Sequence, residues 1–288
     1  MPNMILSLRH QILAPYIYTF VTRTKGTCIK EKLINFLLSS YVAGSTLPFF
    51  LAHLTYICFL LKLDYYQALY DLGLFLLMYL ILLPTYEIGY LINDLFSIKF
   101  EGERKTIRVV CERISFQIMI FWICVRLLIS FILLWFFIPA IYKTQTFWIL
   151  FLILLVFSIH NLIRGEIRTV TTFPILRLLR ILFIFIPIIK TNIEWVLFAL
   201  YSFSYIIPCL TIYVVRKFGE GEKVISKVLN INIWFLMSII FTYTVLSILL
   251  LLLISFSYLL PVLNFMITIL LYCLIAILIN YLLERCSK

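Results

Sequence analysis

The sequence predicts an all-α fold: a polytopic membrane helical bundle of about eight or nine transmembrane helices. Three observations predict it. Hydrophobic residues make up 64% of the 288 and charged residues only 13%, too little polar material to coat a soluble domain. The apolar residues gather in stretches of about 20, the length a helix needs to cross a hydrocarbon core. The charges fall between those stretches and favour alternate ones, as they do in membrane proteins.

Residues 1–32 read as an N-terminal cytoplasmic or interfacial segment. The apolar run from Met4 to Phe20 is broken by Arg9, His10, Gln11 and Pro15, which suits a helix lying on the membrane surface better than a cleavable signal or a span. Residues 33–288 read as one transmembrane domain. Its eight apolar stretches lie near 33–62, 66–92, 114–142, 146–163, 173–189, 195–215, 230–255 and 257–283. The first is long enough to bend, with Pro48 as the natural place, or to hide a re-entrant piece that would bring the count to nine. The last two form one apolar run, divided at Ser255-Phe256-Ser257 and Pro261. Seven cysteines are scattered singly, with no C-x-x-C pair, so neither a disulfide framework nor a thiolate metal site is expected.

Eight spans put both termini on one side, with the segments after spans two, four and six. Twenty of the 24 Lys and Arg residues fall on that side; Lys62, Lys143 and Lys190 fall on the other, and Arg126 lies inside a span. The positive-inside rule makes the basic side cytoplasmic. The same excess explains the net charge of +11 through attraction to anionic headgroups, so no nucleic-acid partner is expected.

The cytoplasmic side also carries acids. "KFEGERK" (Lys99–Lys105) follows span two and "KFGEGEK" (Lys217–Lys223) follows span six, each placing Glu-Gly-Glu between basic residues. Four spans separate them, which suggests a pseudo-repeat of two half-bundles. Carboxylates interleaved with Lys and Arg suit a metal–diphosphate complex. Mg²⁺ takes hard oxygen ligands from one or two carboxylates and from the phosphates, while Lys and Arg neutralise and orient the remaining charge. Continued helically, span two puts Asn93, Ser97 and Glu101 on one face and Glu87, Tyr90 and Asp94 on a neighbouring one. Glu87 then sits within the membrane, where an ionisable residue is either functional or paired to hold helices together. Arg126, also deep, is expected to pair with Glu87 or Asp71.

"NDLFSIKFE" (Asn93–Glu101) resembles the N-D-x-x-D-x-x-x-D motif of the UbiA superfamily of intramembrane prenyltransferases. Asn93 and Asp94 match, Glu101 replaces the last Asp conservatively, and Ser97 departs from the middle Asp. A second acidic motif after span six and a polar basic loop after span four also belong to that family's layout. Here those places hold "VRKFGEGEKVISK" and "HNLIRGEIRTVT"; the second motif lacks D-x-x-x-D and offers Glu220 and Glu222. The resemblance implies helices around a central cavity and Mg²⁺ held by Asn93, Asp94, Glu101, Glu220 and Glu222. It further implies catalytic roles for Asn93, Asp94, Glu101 and His160. Substrate contacts would come from Glu87, Tyr90, Lys99, Arg104, Lys105, Arg108, Asn161, Arg164, Arg168, Arg216, Lys217 and Lys223. For several of these a plainer role stays open: His160 as an interfacial polar residue, Arg164 and Arg168 as topology charges.

The implied reaction is transfer of a prenyl group from a prenyl diphosphate to an acceptor. An alternative of the same fold passes a sugar, such as phosphoribose, from a soluble diphosphate to a polyprenyl phosphate. From another class come a lipid-linked substrate transporter, which would set charges deep along a path, and a non-catalytic relative, which Ser97 and the poor second motif keep open.

Overall fold

The computed structural model describes residues 15, 16, 18, 46–61, 65–93, 116–163, 171–218, 231–253 and 258–286. Eight α-helices run through them: α1 (Leu47–Thr55, extended by a π-helical turn, Tyr56–Leu60), α2 (Tyr65–Ile92), α3 (Phe116–Phe137), α4 (Ala140–Leu162), α5 (Thr172–Phe185), α6 (Asn192–Phe218), α7 (Ile231–Leu253) and α8 (Leu259–Cys286). Each lies in one apolar stretch of the sequence. Among the described residues five helical segments are long and apolar enough to cross a membrane: Tyr65–Ile92, Phe116–Phe137, Ala140–Leu162, Asn192–Thr211 and Leu259–Leu278. They mark an integral, multi-pass membrane protein.

Two elements differ from the sequence reading, and the first stretch is described only in part. Its residues 33–45 lie outside the described residues, and Pro48 sits in the first turn of α1, where its missing N–H has no helical partner to lose. The turn between the third and fourth stretches falls at Ile138–Pro139, so Lys143 lies in the first turns of α4 rather than in a loop. Pro139 cannot extend the α3 ladder, and its extended ψ of 141° redirects the chain into α4. The fifth stretch yields a helix of only 14 residues, about 21 Å long, short of the roughly 30 Å core.

The chain divides into two compact units, 1–37 with 73–187 and 38–72 with 188–288. In the first, α2 is the central element. Residues from Pro84 to Gly89 are buried without interruption. α3 reaches α2 through Ser130 and Arg126, α4 through Phe157 and Asn161, and α5 through Leu176 and Phe185. α4 also packs on α3 and on α5.

In the second unit α1 packs on α6 and α8, and α6, α7 and α8 pack on one another. Phe49 of α1 is fully buried between Phe198 and Tyr201 of α6 and Phe265 of α8. Asn264 of α8 donates to the Ala52 carbonyl and to Thr55, and Thr268 meets Thr55 as well. Such side-chain hydrogen bonds compensate for the weak hydrophobic drive between helices in lipid.

Each unit holds a proline inside a long helix, Pro84 in α2 and Pro208 in α6. A proline leaves the carbonyl four residues earlier without its helical donor. In both cases a hydroxyl from elsewhere in the same unit takes that carbonyl. Tyr16 donates to the Leu80 carbonyl at 2.8 Å, and the Thr242 hydroxyl of α7 lies 3.2 Å from the Ser204 carbonyl, its one proton shared with the Ser238 carbonyl of its own helix at 2.7 Å. The Ile81 carbonyl, one further along α2, accepts from Ser130 at 2.9 Å. Re-satisfaction of this kind is what makes helix-interior proline tolerable in a membrane.

Candidate functional site

In the first unit the C-terminal ends of α2 and α4 and the N-terminal end of α5 come together. Gly89 makes this approach close. A Cβ placed there would stand 2.3 Å from Phe157 Cδ1 and 2.5 Å from Cγ, so only glycine lets the α4 ring lie on the α2 backbone. The Phe157 ring then fits between Tyr86 and Tyr90, with centroid separations of 4.7 and 5.9 Å. Asn161 Nδ2 donates to the Gly89 carbonyl at 3.3 Å, while its Oδ1 is buried without a hydrogen-bond partner. His160 is buried, with Nδ1 2.7 Å from the Thr172 hydroxyl at the start of α5. The Tyr86 hydroxyl donates to the Leu176 carbonyl, and the Arg180 guanidinium lies 5.9 Å from the centre of the Tyr86 ring.

Of the residues expected to form the site, this arrangement contains Tyr90, His160 and Asn161, with the half-buried Asn93 one turn beyond Gly89. Glu87 lies on the same helix but is committed elsewhere. Arg216 and Lys217 belong to the last turn of α6, and their side chains lie outside the described set. Asp94, Lys99, Glu101, Arg104, Lys105, Arg108, Arg164, Arg168, Glu220, Glu222 and Lys223 lie outside the described residues, as does most of the 1–32 segment. Among the described residues no three His, Cys, Asp or Glu side chains gather as a metal-ligand set. Asn93, the one described member of the expected Mg²⁺ set, offers an amide oxygen, a hard donor of the kind Mg²⁺ accepts.

The first unit also holds a buried ion pair. Arg126 of α3 and Glu87 of α2 are both fully buried, with Nε 3.1 Å from Oε2. Arg126 Nη1 donates to its own helix at the Trp122 carbonyl, 3.2 Å away, and Nη2 has no hydrogen-bond partner. The same Glu87 oxygen accepts the Tyr16 backbone N–H at 2.9 Å. Of the two partners expected for Arg126, Glu87 is therefore the one it takes.

Asp71, the other, belongs to a cluster in the second unit that sequence reasoning did not assemble. His53 of α1 lies between two carboxylates. Its Nδ1 is 2.5 Å from Glu194 Oε1, and its Nε2 is 3.1 Å from Asp71 Oδ2. His53, Asp71 and Glu194 are 0, 0 and 1% exposed. Lys190, 34% exposed at its side chain, reaches both Asp71 oxygens at 3.1 and 3.2 Å, and Gln67 donates to Oδ1 at 2.9 Å. Glu194 Oε2 accepts from the Lys190 and Thr191 N–H groups and from the Thr191 hydroxyl. The signal that could have found this cluster was available. His53 is a single ionisable residue within an apolar stretch, the same criterion that singled out Glu87 and Arg126, and Glu194 stands directly before another such stretch.

No protein-family model matches this chain, and no curated protein or solved structure matches it either.

Proposed function

We propose that this chain is a UbiA-like intramembrane transferase that moves a prenyl group from a prenyl diphosphate to an acceptor. One observation carries the reading. The end of α2 that leads into the Asn93–Glu101 motif packs against the end of α4 that leads into the basic segment after it, through Gly89, Phe157 and Asn161. Two separate segments, one acidic and one basic, thus start from a common platform, as a metal–diphosphate cradle requires.

Asn93, Asp94 and Glu101 would hold Mg²⁺, which when bound draws charge off the diphosphate leaving group. Lys99, Arg104, Lys105 and Arg108 would add point charges and bidentate contacts to the phosphates. Arg164 and Arg168 would extend those contacts from the segment after α4. The buried rings of Tyr86 and Phe157 and the half-buried ring of Tyr90 would line the approach to a reacting allylic group and exclude water from it. His160, held by Thr172, would accept a proton from the acceptor.

The experiment mixes purified protein and Mg²⁺ with native membrane extract and one of two labelled donors: geranylgeranyl diphosphate, or phosphoribosyl diphosphate with a polyprenyl phosphate. Labelled prenyl product from the first mixture alone is the expected result, and Asp94→Ala should abolish it. Label passing from the sugar into lipid would replace prenyl transfer with polyprenyl-phosphate glycosyl or phosphoribosyl transfer. Silence in both, with no diphosphate binding, would leave a non-catalytic relative.

A second reading, transport of a lipid-linked substrate, is favoured by the ionisable groups buried inside apolar helices, Glu87 with Arg126 and His53 with Asp71 and Glu194. Such groups mark substrate and ion paths in transporters. Movement of an unmodified substrate across proteoliposomes, with no covalent product, would select it over the transferase.

A further inference from the structure

We propose that the His53–Asp71–Glu194–Lys190 tetrad is a two-proton site that ties α1 to the start of α2 when loaded and loosens that tie when one proton leaves. All four residues lie inside the second unit, and the site serves a transferase and a transporter alike.

Both ring nitrogens of His53 lie within hydrogen-bond distance of a carboxylate oxygen. A carboxylate only accepts, and a neutral imidazole has one N–H and one bare lone pair. The two contacts can therefore both be hydrogen bonds only if His53, Asp71 and Glu194 together hold two protons. Either the imidazole carries both, or it carries one and a carboxyl carries the other. With Lys190 charged, the two-proton state is neutral overall, which lowers the cost of burying His53, Asp71 and Glu194. Removing one proton leaves a net negative charge and sets a lone pair against a carboxylate.

The geometry decides which contact then opens. Asp71 keeps Lys190 on both oxygens and Gln67 on Oδ1, so it is well satisfied without His53. Glu194 Oε1 has His53 as its described partner, at the shorter distance of 2.5 Å. The single remaining imidazole proton stays with Glu194, and the Nε2–Asp71 contact at 3.1 Å is the one lost. The proton passes to solvent, and Lys190 is the member of the tetrad exposed at the surface.

Among the described residues, no further charged group faces the tetrad. Tyr56, in the π-helical turn that follows α1, faces Glu194. Phe50 stacks over the imidazole at 6.3 Å. From α8, Asn264 and Thr268 approach α1 as neutral hydrogen-bonding groups.

The test is hydrogen–deuterium exchange of the full-length protein in nanodiscs, read in peptides covering 47–60 and corrected for the intrinsic pH dependence of exchange. Between about pH 6 and about pH 9, a window that brackets ordinary histidine titration, protection of these peptides should fall at least about tenfold in the unmodified protein. His53→Gln, which cannot titrate, should remove that pH dependence. Lys190→Met, at the exposed member, should move the transition to higher pH, because the remaining carboxylates then hold the imidazolium more strongly. Flat protection across the range in the unmodified protein overturns the proposal, whatever the variants do. An identical transition in His53→Gln overturns it too.

Discussion

At the level of single residues, Glu87 and Arg126 show what a lone charge in an apolar helix requires. Each neutralises the other, yet Arg126 Nη2 is still left without a partner. The pair is therefore an expensive way to join α2 to α3. Arg126→Met alone should destabilise the protein by about 3–5 kcal/mol, because it leaves a buried carboxylate uncompensated. Glu87→Leu with Arg126→Met should recover most of that loss, as apolar replacement of a whole buried pair often does. Thermal unfolding in detergent measures both. If the double variant retains its stability but loses turnover, Glu87 has a chemical role as well as a structural one. Gly89 makes a second case. Gly89→Ala must displace the Phe157 ring, and the overpacking should cost about 1–3 kcal/mol. Phe157→Leu should relieve the clash in the Gly89→Ala background. If Gly89→Ala is neutral on its own, α4 does not lie as close to α2 as Phe157 implies.

At the level of elements, Pro84 and Pro208 interrupt helices that an apolar reading treats as continuous. Each orphaned carbonyl is taken by a hydroxyl, from Tyr16 or Thr242, so each proline couples its helix to a neighbouring segment. Thr242→Val should cost about 1 kcal/mol. In a Pro208→Ala background the restored N–H takes over the Ser204 carbonyl, and Thr242→Val should then cost less by about 0.5–1 kcal/mol. A double-mutant cycle measures the difference; strict additivity would show that Thr242 is not serving the proline carbonyl. Orientation also belongs to this scale. With eight crossings, the asymmetry of twenty basic residues against three predicts that both termini are cytoplasmic. Reporter domains fused after Lys288 and inserted at Ile138–Pro139 should report opposite sides of the membrane. Agreement between them would mean that the chain crosses the bilayer an even number of times between Pro139 and Lys288, and not once with each of the five helices α4–α8.

For the molecule as a whole, much was legible along the chain. Hydropathy adds up residue by residue, so composition alone dictated an all-helical membrane protein, and the apolar stretches located every described helix. Prolines set limits that the sequence shows but does not rank. Pro139 ended one helix and opened the next, while Pro84 stayed inside a helix because Tyr16 took the freed Leu80 carbonyl. The candidate site was legible in part. The burial of Glu87 and Arg126 was expected from single charges inside apolar stretches, and their pairing followed from the cost of a lone buried charge. The His53 tetrad was not legible, although its members were visible as isolated polar letters. His53 is 18 positions from Asp71 and 141 from Glu194, and nothing in a one-dimensional pattern says that such residues share a proton. Sequence alone determined what must be buried and what must stay wet. Only tertiary packing decided which buried charges meet, because hydrophobic burial is non-directional, whereas ion pairs and hydrogen bonds depend on distances of a few tenths of an ångström.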